Sequence, residues 1–160
     1  MGTIRVVWGA ATGPTAMASY DAALAGANVH DYNLVRVSSV IPAGASLEVP
    51  GAATDLGPAG QRLTVVQSRD TVAPAADRPA VAGIGWARSG DEGPGIFYEA
   101  AGGTESAVRE EIDAGLDYGA ELRDWTVAER GVEVHASDSD GDGFTTQVVC
   151  AVYGGAEAIV

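Results

Sequence analysis

The alternation of apolar and polar residues constrains the fold most, because it divides this chain into many short strands and two helices. Strand-like segments rich in β-branched residues occur at residues 3–8, 34–41, 46–50, 62–69, 81–87, 95–99, 125–134 and 144–153. Apolar residues recur at helical spacing in residues 15–25 and 104–120, and residues 9–14 are typical of a loop. Because helices and strands do not alternate strictly, the pattern predicts an α+β sandwich rather than a doubly wound parallel sheet.

The length of 160 residues favours one domain, residues 1–160, with a core large enough to need no disulfides. Cys150 is the only cysteine and lies in an apolar run, which is typical of a buried thiol in a reducing compartment. The first residues lack the layout of a signal peptide, and no apolar stretch approaches the roughly 20 residues that span a bilayer. We therefore expect a soluble cytoplasmic protein with no membrane association.

The charge is strongly acidic: 22 acidic residues face 9 basic ones, all arginine, for a net charge of −13. Residues 81–160 hold sixteen acids and four arginines, so most of this charge lies in the second half. A nucleic-acid-binding protein would concentrate positive charge, so we expect no nucleic-acid partner. Molar salt shortens the Debye length to about 3 Å, and the composition therefore favours adaptation to high salt over a merely acidic protein.

Three motifs resemble ligand sites but fit structural interpretations better. Residues 138–143 place aspartates as a calcium loop does, but Val149 stands where a glutamate is needed, so a hairpin turn is favoured. His30 and His135 lie far apart with no further ligands around them, which predicts surface histidines and no metal site. The segment 83–85 has two glycines but lacks the next glycine of a dinucleotide-binding fingerprint.

Residues 33–42, with the sequence NLVRVSSVIP, contain two adjacent hydroxyls in an otherwise apolar strand. By itself the pair Ser38–Ser39 ahead of Pro42 is a common way for a strand to end. Buried hydroxyls would need hydrogen-bond partners, but that need does not make them catalytic. From the residues alone, a structural role is the simpler interpretation.

This segment resembles the core of the pyruvoyl-dependent arginine decarboxylases, Asn-Leu-(Ile/Val)-(Arg/Lys)-(Ile/Val)-Ser-Ser-(Ile/Val)-x-Pro. The likeness extends to Asp21, to residues 96–99 (IFYE) and to residues 119–125 (GAELRDW). Ala43 departs from the pattern, because relatives often have a second proline there, but no reactive group is lost. The resemblance implies an αββα sandwich of largely antiparallel sheets, and a homotrimer with active sites between subunits.

The resemblance also implies that the chain makes its own cofactor. The hydroxyl of Ser39 would attack the carbonyl of Ser38, and the chain would separate into residues 1–38 and 39–160. Ser39 would become a covalent pyruvoyl group, which forms a Schiff base with L-arginine and allows its decarboxylation to agmatine. Two alternatives remain open: decarboxylation of another amino acid, and an uncleaved relative with a structural or regulatory role.

Four further roles follow from the resemblance. Glu99 would be the acid that protonates the carbanion, with a pKa that desolvation could raise at the end of an apolar strand. Asn33 would position the reacting groups, Ser38 would help to bind substrate, and Asp21 would pair with the substrate guanidinium. Without the family pattern, Glu99 would be interpreted as a strand-end carboxylate, Asn33 as a turn residue and Asp21 as a charge on a helix surface.

Overall fold

The strands and helices of residues 2–160, which the computed structural model describes, form four layers in the order helix, sheet, sheet, helix. Along the chain they are β1 (Thr3–Gly13), α1 (Ala16–Gly26), β2 (Asn33–Arg36), β3 (Val40–Ile41), β4 (Ser46–Gly51), β5 (Arg62–Val72), β6 (Ala80–Arg88), β7 (Gly95–Ala101), α2 (Glu105–Leu122), β8 (Glu129–Ser137) and β9 (Phe144–Tyr153). The α+β sandwich of type αββα is thereby confirmed.

The two sheets differ in strand direction. The five-stranded sheet has the order β2-β5-β9-β1-β4, and its edge strands β2 and β4 run parallel to their neighbours while the inner pairs are antiparallel. The four-stranded sheet has the order β3-β7-β6-β8 and is antiparallel throughout. Helix α1 packs on the first sheet and α2 on the second, so that both sheets are covered on their outer faces.

Three apolar clusters fill the spaces between these layers. Alternation along β1 shows how: Ile4 and Val6 point between the sheets, whereas Val7 points towards α1. All residues of β6 are buried, because this strand is covered on one face by the other sheet and on the other by α2. Gly9 allows α1 to approach β1 closely, since a side chain there would collide with the carbonyl oxygen of Ala23.

The predicted helix at 104–120 is confirmed, with Thr104 accepting a hydrogen bond from the backbone N–H of Ala107 at 3.1 Å as N-cap. The predicted strand at 125–134 begins only at Glu129, because the backbone N–H of Trp125 still bonds the carbonyl of Ala120 and closes the end of α2.

The predicted loop at 9–14 is wrong, since β1 continues to Gly13, paired with β9. Small residues do not prevent strand formation when a neighbouring strand supplies the backbone hydrogen bonds.

Two other predictions are wrong for one physical reason, which is that the chain crosses between the sheets. The segment 34–41 is not one strand: β2 belongs to the five-stranded sheet and β3 to the four-stranded sheet, so residues 37–39 form the crossing. Residues 138–143 do not join a hairpin, because β8 and β9 also lie in different sheets. Periodicity along the chain carries no information about which sheet a strand joins.

Cys150 is fully buried in β9, as expected, and burial raises the pKa of its thiol to about 12. The thiol therefore remains protonated and unreactive at neutral pH. Within residues 2–160, neither helix has the length and hydropathy to cross a bilayer.

Candidate active site

The Ser38–Ser39 bond lies on the crossing between the two sheets. Val37 is the last residue held by the five-stranded sheet, through its N–H to the carbonyl of Val65 at 3.0 Å. Val40 is the first residue of β3, paired with Ile96 of β7. Ser38 is exposed and Ser39 is partly buried, so the bond between them is at the surface.

The structure brings the Ser39 hydroxyl directly to Glu99. The Ser39 Oγ donates a hydrogen bond to Glu99 Oε2 at 3.0 Å, although sixty positions separate the two residues. Glu99 is held near the end of β7, the strand that pairs with β3 on one side and β6 on the other. In a single chain Glu99 is exposed rather than desolvated, so the predicted apolar setting is not found there.

A cavity of about 480 Å³ opens beside this pair. Glycines of α2 allow the helix to pack closely on β7 here, because a side chain at Gly115 would collide with the ring of Tyr98 and one at Gly119 with Ile96. The lining residues are Ser38, Ser39, Val40, Ile96, Phe97, Tyr98, Glu99, Gly115, Tyr118, Gly119, Leu122 and Arg123. The cavity therefore combines two serine hydroxyls, a carboxylate, aromatic rings and one guanidinium.

Backbone hydrogen bonds hold the serines in a tight turn. The N–H of Val40 donates to the carbonyl of Ser38 at 2.7 Å, which closes a three-residue turn around Ser39. The N–H of Phe97 donates to the carbonyl of Ser39, also at 2.7 Å. As a result, the carbonyl that the Ser39 hydroxyl would attack is already polarised by a backbone donor.

Tyr153, the last residue of β9, also reaches this segment, and sequence reasoning missed it. Its hydroxyl donates to the carbonyl of Val40 at 2.7 Å. Burial, and secondarily the negative charge of Glu99, raises the pKa of Tyr153 to about 12, so that the phenol keeps its proton. A tyrosine at the end of a strand is too common to indicate this contact from sequence.

Asp21 and Asn33 line a second cavity, of about 590 Å³, which shares no residue with the first. The Asn33 side chain donates to the carbonyl of Gly60 at 2.7 Å and so is bound to a loop rather than to the serines. Tyr20 and Tyr32 add aromatic rings to this cavity. Within one chain, therefore, Ser38, Ser39 and Glu99 meet, whereas Asp21 and Asn33 stand apart from them.

The segment 119–125, part of the family pattern described above, supports the first cavity from the end of α2. Arg123 donates to the carbonyl of Gly119 at 3.0 Å, and its guanidinium lies 5.4 Å from the centre of the Trp125 ring. Trp125 itself packs against the apolar cluster between α2 and the four-stranded sheet. These contacts place Arg123 at the cavity rim.

Of the other sequence motifs, His30 lines the second cavity, with its Nε2 3.7 Å from Asp31 Oδ1, whereas the aspartate-rich loop and His135 line neither cavity. In the aspartate-rich loop, Asp140 accepts from the backbone N–H of Asp142 at 2.9 Å. His135 stacks on Trp8 with ring centres 4.3 Å apart, and its Nε2 is 2.9 Å from Glu133. His135 is therefore partly buried rather than a fully exposed surface histidine. Over the described part of the chain, no group of three or more potential ligands could hold a metal ion.

Comparison with known proteins shows which family the sequence resembles. The family model described as pyruvoyl-dependent arginine decarboxylase (PvlArgDC) matches residues 3–158. Two relatives, from strains R1 and NRC-1 of Halobacterium salinarum, both bear the name pyruvoyl-dependent arginine decarboxylase. Each is 45% identical over 160 residues, which cover 99% of this chain and 98% of the relative. The chain belongs to the pyruvoyl-dependent arginine decarboxylase family.

Proposed function

We propose that this chain converts L-arginine to agmatine and CO₂, using a pyruvoyl group that it generates from its own Ser39. The observation that carries the proposal is the hydrogen bond of 3.0 Å from the Ser39 hydroxyl to Glu99, at the mouth of a cavity large enough for an amino acid. Family membership over nearly the whole chain supports the same chemistry.

Self-cleavage begins with attack by the Ser39 Oγ on the carbonyl carbon of Ser38, while Glu99 accepts the hydroxyl proton. The Oγ–C bond forms, the C–N bond breaks, and the freed nitrogen takes a proton, which converts the amide into an ester. Loss of the Cα proton of residue 39 then breaks the Cβ–Oγ bond and releases Ser38 as a carboxylate. Water hydrolyses the remaining enamine, through its imine tautomer, to the ketone and ammonia.

The turn around Ser39 supports the first of these steps. Negative charge develops on the Ser38 carbonyl oxygen during the attack, and the N–H of Val40 already points at that oxygen from 2.7 Å. A donor fixed in place before the reaction stabilises such charge without reorganisation. In this proposal the nucleophile, the base and the oxyanion donor would come from three consecutive residues and one neighbouring strand.

The two products, residues 1–38 and 39–160, would remain one folded domain. The small chain contains β1, α1 and β2, and β1 is an inner strand of the five-stranded sheet, between β9 and β4. Its pairing with β9 runs from Ile4 opposite Tyr153 to Gly13 opposite Phe144. Because these hydrogen bonds do not involve the cleaved peptide, the small chain stays in place after cleavage.

In the decarboxylation, the pyruvoyl carbonyl would form a Schiff base with the substrate amine and take up the electrons that CO₂ leaves behind. Glu99, whose Oε2 lies 3.0 Å from the Ser39 Oγ, would deliver a proton to the substrate Cα. The exposed Ser38 hydroxyl lines the same cavity and is available to bind substrate.

Recognition of the guanidinium is assigned to Asp21, whose carboxylate can accept two parallel N–H bonds. Asp21 and Asn33 belong to the second cavity, so a complete site needs the second cavity of a neighbouring copy beside the first. Exposed apolar residues favour such an assembly: Met17 at the second cavity and Tyr118 and Leu122 at the first are each 69% exposed. We propose a homotrimer, in which each site is shared between subunits.

The acidic surface supports function at high salt. Helix α2 alone exposes Glu105, Glu110, Glu111, Asp113, Asp117 and Glu121. Such a concentration of like charge is tolerated when salt screens it. Both relatives come from Halobacterium salinarum, a halophile, which agrees with this proposal.

Intact-mass measurement of the purified protein tests the self-cleavage. We expect two chains, residues 1–38 with an ordinary carboxylate, and residues 39–160 lighter by one ammonia than a chain that starts with serine. The large chain should resist Edman degradation and should gain two hydrogens on borohydride reduction. A single uncut chain after long incubation at high salt would contradict the proposal and favour a regulatory role.

Substitution of Asp21 tests arginine as the substrate. We expect Asp21→Ala to lower kcat/KM for arginine about 10- to 100-fold, because a charge-assisted pair is lost, and to affect lysine or ornithine turnover much less. Asp31→Ala is the matched control, since Asp31 is an exposed carboxylate near the same cavity but does not line it. Equal losses on all three substrates would remove the guanidinium role from Asp21.

A further inference from the structure

Three hydrogen bonds of 2.7 Å hold the cleavage segment in its turn. Two come from the backbone, from the N–H of Val40 to Ser38 and from the N–H of Phe97 to Ser39. The third comes from the Tyr153 hydroxyl, which donates to the carbonyl of Val40. Tyr153 is therefore the one side chain among these three donors, and a substitution can remove its bond.

Tyr153 connects the two sheets at this point. It ends β9 in the five-stranded sheet, whereas Val40 begins β3 in the four-stranded sheet. Its ring meets Phe97 edge to face, with centres 6.2 Å apart, which fixes the direction of the hydroxyl. Because the pKa of Tyr153 is raised to about 12, the phenol is a neutral donor over the physiological range.

The position of the Val40 carbonyl bears directly on the reacting carbonyl. Strand β3 has only two residues, so few ladder bonds restrict the backbone of Val40. Phe97 holds the peptide plane before Val40 and Tyr153 holds the plane after it. With both planes fixed, the N–H of Val40 is kept aimed at the Ser38 oxygen, where negative charge would develop.

We propose that Tyr153 is a positioning residue for self-cleavage, which holds the Val40 peptide so that its N–H stabilises the oxyanion at Ser38. The proposal rests on the proposed function, since it requires that the Ser38–Ser39 bond is cleaved. Tyr153 acts through Val40 and need not touch the reacting atoms or the substrate. It follows that Tyr153 governs how fast the cofactor forms.

The test is the rate of cleavage of newly synthesised Tyr153→Phe, followed by intact mass. The phenyl ring keeps the contact with Phe97 and removes only the hydroxyl. We expect cleavage to slow about 10-fold, the effect of one hydrogen bond worth about 1.4 kcal/mol in the transition state. Hydroxylamine, which cleaves esters, should not restore the rate, because the defect precedes the ester.

Ser19→Ala is the matched control for a general loss of stability. Ser19 is fully buried in α1, its hydroxyl donates to the carbonyl of Ala16 at 2.9 Å, and it lines neither cavity. Denaturant unfolding of Tyr153→Phe and Ser19→Ala, each in an uncleavable Ser39→Ala background, measures the structural cost separately from cleavage. We expect Ser19→Ala to cleave at the unsubstituted rate even where it costs as much stability.

Three results would overturn the positioning role: an unchanged cleavage rate in Tyr153→Phe, equal slowing in Ser19→Ala, or acceleration of Tyr153→Phe by hydroxylamine. If Tyr153→Phe in the Ser39→Ala background does not fold, Tyr153 is structural and the proposal also fails. Failure of the unsubstituted chain to cleave is a different outcome, because it would contradict the proposed function itself.

Discussion

Ser39→Ala is expected to give a single chain of 16.2 kDa that does not decarboxylate arginine. Without the hydroxyl there is no nucleophile to attack Ser38, no ester, and therefore no pyruvoyl group. The loss of activity should reach at least about 10⁴-fold, to the detection limit, because the group that accepts the electrons is never made. Intact mass and release of CO₂ from labelled arginine measure the two effects.

The neighbouring serine provides the control for this result. Ser38→Ala removes a hydroxyl from the same exposed segment but leaves both the attacking Oγ and the attacked carbonyl. We expect Ser38→Ala to cleave, with a weaker affinity for substrate where its hydroxyl contributes to binding. Cleavage of Ser39→Ala at the same bond would contradict the role of the Ser39 hydroxyl.

Glu99→Gln is expected to lower kcat for arginine by about 10²- to 10⁴-fold with a smaller change in KM. Glutamine can still accept the hydrogen bond that Ser39 now donates at 3.0 Å, so the hydroxyl remains directed into the site. It cannot take up or deliver a proton, and both cleavage and protonation of the substrate carbon should suffer. Activity is to be expressed per cleaved large chain, so that slow cofactor formation is not mistaken for slow catalysis.

Glu110→Gln is the matched control for Glu99→Gln. Glu110 is an exposed carboxylate of α2 that does not line the cavity beside Ser39 and Glu99, and its substitution changes the net charge equally. We expect cleavage and turnover to remain as in the unsubstituted chain. A Glu99→Gln enzyme that keeps its kcat per cleaved chain would show that another group supplies the proton.

Local patterns predicted most of the secondary structure because they depend on neighbours in sequence. Val108, Ile112 and Leu116 lie on one face of α2 at helical spacing, and all three are buried as that spacing requires. The prediction of a single strand from Leu34 to Ile41 was wrong, because apolar residues fit a strand equally well whether the chain stays in one sheet or crosses to another. The prediction of a loop at 9–14 was wrong because pairing with β9 overrides the low strand propensity of Gly9 and Gly13.

For the candidate site, the sequence alone determined the serine pair, its family pattern and the residue types that the chemistry needs. Only the tertiary structure decided that Ser39 meets Glu99, that Tyr153 holds Val40, and that Asp21 and Asn33 stand in a separate cavity. The physical reason is that these hydrogen bonds and separations join residues far apart in sequence. Their distances depend on how the strands and helices pack together, and spacing along the chain does not contain that information.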